Sequence, residues 1–220
     1  MAVDVYMTDI RALPDARAYP AVLHEIESRR RQKVLSFVRA EDRKRCLGAG
    51  LLLARVLPLY GEDSEAVVYG KAGKPEAGRV HFNLSHSGGL VICAVGEKAV
   101  GCDIEKVAEE PEGVAEQFFH PEEAAYLRTF QGRARAEMFY RLWTWKESYV
   151  KMTGEGMLLP LQEFMVLPAD GQIRVHREGR VLACHMKEYS VPGYQVSVCA
   201  EEETFSDCVK MVHCLSQAKS

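Results

Sequence analysis

The sequence predicts an α+β protein of two similar lobes. Two observations predict it. Helical apolar periodicity and short strand-like runs both occur, and in each half of the chain helices come first and strands follow. The first half ends near Glu105, so the expected lobes span residues 1–105 and 106–220, with neither a sequence repeat nor a low-complexity linker.

Taken in order, Ala2 to Ile10 alternates loosely and reads as a first strand. Ala21–Phe37 and Ala40–Leu57 read as helices, the second through Leu47, Leu51, Leu52 and Val56, with Pro58 as its stop. Ala66–Tyr69 precedes a glycine-punctuated loop, Gly70 to Pro75, and Arg79–Leu84 reads as a strand broken by Ser85-His86-Ser87-Gly88-Gly89. Leu90–Val95 is a continuous apolar run, the pattern of a buried strand, and it leads into AVGCDIEK. Val107–Phe130 is interrupted at Pro111 and Pro121. A long helix follows from about Gly132 to Thr153: Met138, Leu142, Trp145, Tyr149 and Met152 form one apolar stripe, and Gly154 stands where a left-handed cap belongs. Glu163–Leu167, Gln172–Arg177, Val181–Tyr189 and Tyr194–Cys199 read as strands, whereas the tail from Phe205 to Ser220 has no decisive pattern.

Composition narrows the function classes. The chain has 220 residues, 47% hydrophobic and 27% charged, and a net charge of −3, which gives no reason to expect nucleic-acid binding. No secretion signal or run of 18 apolar residues is visible, so no membrane partner and a cytoplasmic location are expected. Seven cysteines, none in a Cys-x-x-Cys pair, argue against a disulfide framework or a zinc site.

In a strand over Ala99–Lys106, Asp103 and Glu105 project from one face, with Cys102 and Ile104 on the other. Two carboxylates on one face repel, but they suit a hard divalent cation such as Mg²⁺, with Glu147 the natural third ligand. Glu147 and Lys151, one helical turn apart, also read as a solvated ion pair contributing about 0.2–0.5 kcal/mol. Asn83 to Gly89 carries hydroxyl, imidazole and glycine donors suited to a phosphate, or else forms a polar turn. Arg29, Arg30, Arg31, Lys33, Arg39, Arg43, Lys44 and Arg45 make a basic excess on the first two helices, either a solvated face or the site of a polyanion. His120 reads as a structural residue at a helix start.

Three stretches, HFNLSHS (81–87), VGCDIE (100–105) and LWTWKESYVK (142–151), resemble the signature motifs of the 4′-phosphopantetheinyl transferases. Order, spacing and length resemble the surfactin-synthetase type, a single chain of two pseudo-symmetric lobes, each a small antiparallel sheet with packed helices that include one long one. The resemblance runs from about Arg29 to Cys199. It implies transfer of the 4′-phosphopantetheine arm of coenzyme A to a serine of an apo acyl or peptidyl carrier protein, with release of adenosine 3′,5′-bisphosphate. It makes Asp103, Glu105 and Glu147 the Mg²⁺ ligands, Glu147, or a metal-bound water it positions, the proton acceptor, and Lys151 the group that neutralises the pyrophosphate. It gives Lys33, Arg45, Lys74, Ser85 and His86 to coenzyme A, with Arg30 a weaker match, and it implies a monomer that docks its carrier near Glu112–Phe130. Cys102 replaces a usual aliphatic residue, and Glu155 stands where a basic residue is often seen. Two other readings compete: a non-catalytic coenzyme A or carrier-protein binding module, and another metal-dependent phosphotransferase.

Overall fold

A computed structural model describes residues 1–70 and 74–214. The Lys71-Ala72-Gly73 part of the glycine-punctuated loop and the last six residues of the tail lie outside the described residues.

The first strand, β1, is Asp4–Asp9; α1 is Ser28–Ser36 and α2 is Ala40–Val56. Short strands β2 (Val68–Tyr69) and β3 (Pro75–Glu76) precede β4 (His81–Ser87), β5 (Leu90–Gly96) and β6 (Val100–Lys106). The helices α3 (Val114–Phe118), α4 (Pro121–Leu127) and α5 (Gly132–Thr153) follow. The chain ends with β7 (Phe164–Ala169), β8 (Gln172–Arg177), β9 (Arg180–Val181), β10 (His185–Glu188), β11 (Tyr194–Ala200) and β12 (Lys210–Met211). The α+β expectation holds.

Three expected elements differ. Residues 21–37 do not form one helix: a 3₁₀ turn over Pro20–Glu25 ends at extended Ile26, and the Glu27 carboxylate accepts the Arg29 N–H to start α1 afresh. Ser85 to Ser87 do not break a strand; they finish β4, and Gly88-Gly89 makes the hairpin to β5, with Gly88 at φ 53°. Val181–Tyr189 is split into β9 and β10. The β7–β8 and β8–β9 hairpins turn at Asp170-Gly171 and Glu178-Gly179, where all four residues have positive φ.

One sheet has the order β12-β1-β5-β4, antiparallel except for the parallel β12–β1 pair; a second, antiparallel, has the order β10-β11-β6. The strand β6, at the end of the first half, thus pairs with β11 from the second, and the tail strand β12 returns to β1. Alternation sorts the side chains into layers. Val91, Cys93 and Val95 of β5 pack with Leu47, Leu51 and Leu52 of α2. Ile92 and Ala94 face the other way, against Val100, Cys102 and Ile104 of β6 and Val196 and Val198 of β11. This explains why β5 reads as unbroken apolar sequence: both its faces are buried. Each fully buried leucine contributes about 1.5–3 kcal/mol. Behind the second sheet, the α5 stripe of Met138, Leu142, Trp145, Tyr149 and Met152 is buried with Phe164, Val166 and Val175.

The helix α5 packs tightly on β6 at Gly101. A Cβ there would lie 2.1 Å from the Ser148 carbonyl oxygen and 2.3 Å from the Met152 nitrogen, both backbone atoms that cannot swing aside. Gly101→Ala is therefore expected to lower stability in urea unfolding by about 1–3 kcal/mol, the usual range for overpacking. An unchanged midpoint would contradict this packing.

Candidate active site

Because Val100, Cys102 and Ile104 point into the core between the sheets, Asp103 and Glu105 face the other way, toward α5. On α5, Lys151 reaches down to that strand. Its Nζ donates to Asp103 Oδ1 at 2.5 Å and to Ser85 Oγ at 3.1 Å, and Ser85 Oγ donates to the same Asp103 oxygen at 2.7 Å. Ser87 Oγ donates to Glu105 Oε2 at 2.6 Å. The partner of Lys151 is thus Asp103, not Glu147 one turn away as the sequence spacing allowed.

Three side chains of β4 hold β6 in place. The β6 amides on the side away from β11 donate to Asn83 Oδ1 (from Cys102, 3.0 Å), Ser85 Oγ (from Ile104, 3.4 Å) and Ser87 Oγ (from Lys106, 3.0 Å). Without them β6 would be an edge strand with unsatisfied N–H groups. The polar residues of β4 therefore continue a sheet-like ladder with side chains, which is why that stretch reads as a loop in sequence.

The electrostatics are those of crowded negative charge. Burial raises the pKa of Glu147; Lys151 opposes the rise and Asp103 adds to it. Burial also raises Glu105, offset by the Ser87 hydrogen bond and reinforced by the Asp103 charge. For Lys151, burial works against the ammonium, but the charge and hydrogen bond of Asp103 outweigh it and the pKa lies above the usual lysine value. Asp103 is 2% exposed, and its Oδ2 is buried with no hydrogen-bond partner. A buried carboxylate oxygen so placed calls for a cation. The donors are all oxygen and suit a hard divalent ion. Among the described residues, however, no three His, Cys, Asp or Glu side chains form a ready-made ligand cluster.

The remaining expected residues are more dispersed. Ser85 belongs to the Asp103–Lys151 group. His86 is exposed on the opposite face of β4, with Phe82 and Leu84, where it feels the charge of Arg45. Arg45 itself bonds Asp42 at 2.8 Å, and Lys33 is exposed on α1. Arg30 is buried beside Glu27, its Nε without a hydrogen bond. Lys74 is engaged with backbone carbonyls. A cavity of about 700 Å³ opens beside the site; Glu147, Lys151, Lys74 and Asn83 supply polar lining, and Phe118 and Trp143 part of its apolar lining. Of the aromatics near the expected carrier face, Phe119 is core, while Phe118 stacks edge-on against Trp143.

One feature was missed in the sequence. Thr144, Lys146 and Ser148 are fully buried, and Lys146 Nζ bonds both Glu123 oxygens at 2.8 and 2.7 Å and the Phe164 carbonyl at 2.8 Å. The available signal was the position of Lys146, four residues after Leu142 and three before Tyr149 on the apolar side. Burial pulls Lys146 down to about 8 and pushes Glu123 up. His120 caps α4, with Glu123 accepting its backbone N–H, as a structural residue.

Comparison with known proteins places the chain in a family. The family model of the 4′-phosphopantetheinyl transferase superfamily matches residues 99–199. The 4′-phosphopantetheinyl transferase Sfp of Bacillus subtilis is 34% identical over 195 residues, covering 85% of this chain and 87% of its own. The 4′-phosphopantetheinyl transferase gsp of Aneurinibacillus migulanus is 30% identical over 191 residues, covering 84% and 81%. Among solved structures, the Thermotoga maritima holo-[acyl-carrier-protein] synthase overlaps 46% of this chain and 61% of its own at 22% identity, with a TM-score of 0.40. With a relative this similar along most of both chains, the protein belongs to the 4′-phosphopantetheinyl transferase superfamily.

Proposed function

We propose that the chain transfers the 4′-phosphopantetheine arm of coenzyme A to a serine of an apo acyl or peptidyl carrier protein. The observation that carries this reading is the facing of Asp103 and Glu105 on β6 by Glu147 and Lys151 on α5, beside one cavity. Asp103, through its unpartnered Oδ2, with Glu105 and Glu147, would hold Mg²⁺, which would supply positive charge against a pyrophosphate. Glu147 takes the proton of the carrier serine hydroxyl. The serine oxygen forms a bond to the phosphorus that bears the pantetheine arm. The bond from that phosphorus to the bridging oxygen breaks, and the pair leaves with adenosine 3′,5′-bisphosphate. Lys151, held by Asp103 and Ser85, is placed to neutralise charge that grows on the leaving phosphate.

Lys33, Arg45, Ser85 and His86 are assigned to coenzyme A, with the basic helices α1 and α2 receiving its anionic end. The cavity at Phe118 and Trp143 suits the pantetheine arm and the approaching carrier. Glu155, just beyond the end of α5, is paired with Arg177 at 3.0 Å.

The reading is tested by following adenosine 3′,5′-bisphosphate. Its release is expected only when coenzyme A, a divalent cation and an apo carrier are all present. Release without the carrier serine would instead identify a nucleotide hydrolase.

A further inference from the structure

The ammonium of Lys74 is turned into the protein. Its Nζ donates to the carbonyl of Lys151 at 2.7 Å and to those of Met152 and Val100 at 3.3 Å each. Lys151 and Met152 are in the last turn of α5, where carbonyls lack intrahelical partners and a cation is favoured by the helix dipole. Val100 is the first residue of β6. An ammonium has three N–H donors, and here each has a backbone acceptor. Burial lowers the pKa of Lys74, as expected for a cation withdrawn from water. The glycine at 101 lets the two elements approach closely enough for one side chain to bridge them.

We propose that Lys74 is a positioning residue that ties the last turn of α5 to the start of β6, and not a phosphate ligand of coenzyme A. The tie sets the separation between the element carrying Glu147 and Lys151 and the element carrying Asp103 and Glu105. The proposal rests on reading those four residues as the reacting group. Displacing a reacting group by about 1 Å can cost up to 10²-fold in rate.

The test is Lys74→Met, which keeps the apolar stem and removes the donors. With coenzyme A and an apo carrier, kcat is expected to fall by about tenfold or more while KM for coenzyme A stays within about twofold. The same fractional loss is expected with 3′-dephospho-coenzyme A, because no contact to the 3′-phosphate has been removed. In the protein without coenzyme A, the amides of residues 151–154 should exchange hydrogen about tenfold faster than in wild type. A tenfold rise in KM with kcat retained, a loss that vanishes with 3′-dephospho-coenzyme A, or unchanged amide exchange would each overturn the proposal. If Lys74→Met fails to fold, Lys74→Arg serves, since a planar fork cannot reach three convergent carbonyls, and the same three readings apply. Should the wild-type protein modify no carrier, the transferase reading falls, and the exchange measurement still decides whether Lys74 holds the two elements together.

Discussion

Glu147→Gln should abolish carrier modification while leaving coenzyme A binding largely intact. Glutamine keeps the size and hydrogen-bonding reach of glutamate, so α5 and its packing should be undisturbed. It cannot accept the serine proton, and it would supply no negative oxygen to the cation proposed for Asp103, Glu105 and Glu147. Loss of a general base typically costs 10²–10⁴-fold in rate, and loss of a cation ligand adds to it, so turnover should drop by at least about 10³-fold. The check is single-turnover transfer beside calorimetric titration of coenzyme A. A variant with normal turnover would remove Glu147 from its role. One that also failed to bind coenzyme A would give it a binding role instead.

The second large effect concerns stability. Glu123→Ala is expected to cost about 3–5 kcal/mol, because it strands the Lys146 ammonium in a dry interior. Both side chains are fully buried, and Glu123 Oε1 also receives the Val166 N–H at 2.6 Å. This single pair therefore joins α4, α5 and β7. Lys146→Met in the Glu123→Ala background should recover much of the loss, since an apolar chain carries no desolvation penalty. Chemical denaturation of the two variants and wild type measures this directly. A single variant within about 1 kcal/mol of wild type would mean that the pair is not isolated from water.

The outcome separates what is local in the sequence from what is not. The helix α5 was legible from Met138 to Gly154 because its signals are local: a 3.6-residue stripe and a glycine cap with φ 74°. The orientation of Asp103 and Glu105 followed from strand alternation alone. β4 was misread beyond Leu84 because Ser85 and Ser87 are polar in a place where polarity serves β6, a partner not visible in local sequence. The alternative reading of Glu147 and Lys151 as an ion pair fails for the same reason. Spacing brings the two within reach, but Asp103, from a strand 48 residues away, binds the lysine more closely. The burial of Lys146 had a local signal in its place on the apolar side of α5, but its partner Glu123, 23 residues away, did not, and Lys74 was opaque because its acceptor at the end of α5 lies 77 residues away.

The most direct test of the central claim is the intact mass of an apo carrier protein incubated with this protein, coenzyme A and Mg²⁺. A gain of about 340 Da, the mass of the phosphopantetheine arm, is expected, and it should disappear with EDTA and with a carrier Ser→Ala. Absence of any gain on fatty-acid and peptide carriers, in a preparation that binds coenzyme A, would contradict the account and leave a binding module on a transferase fold.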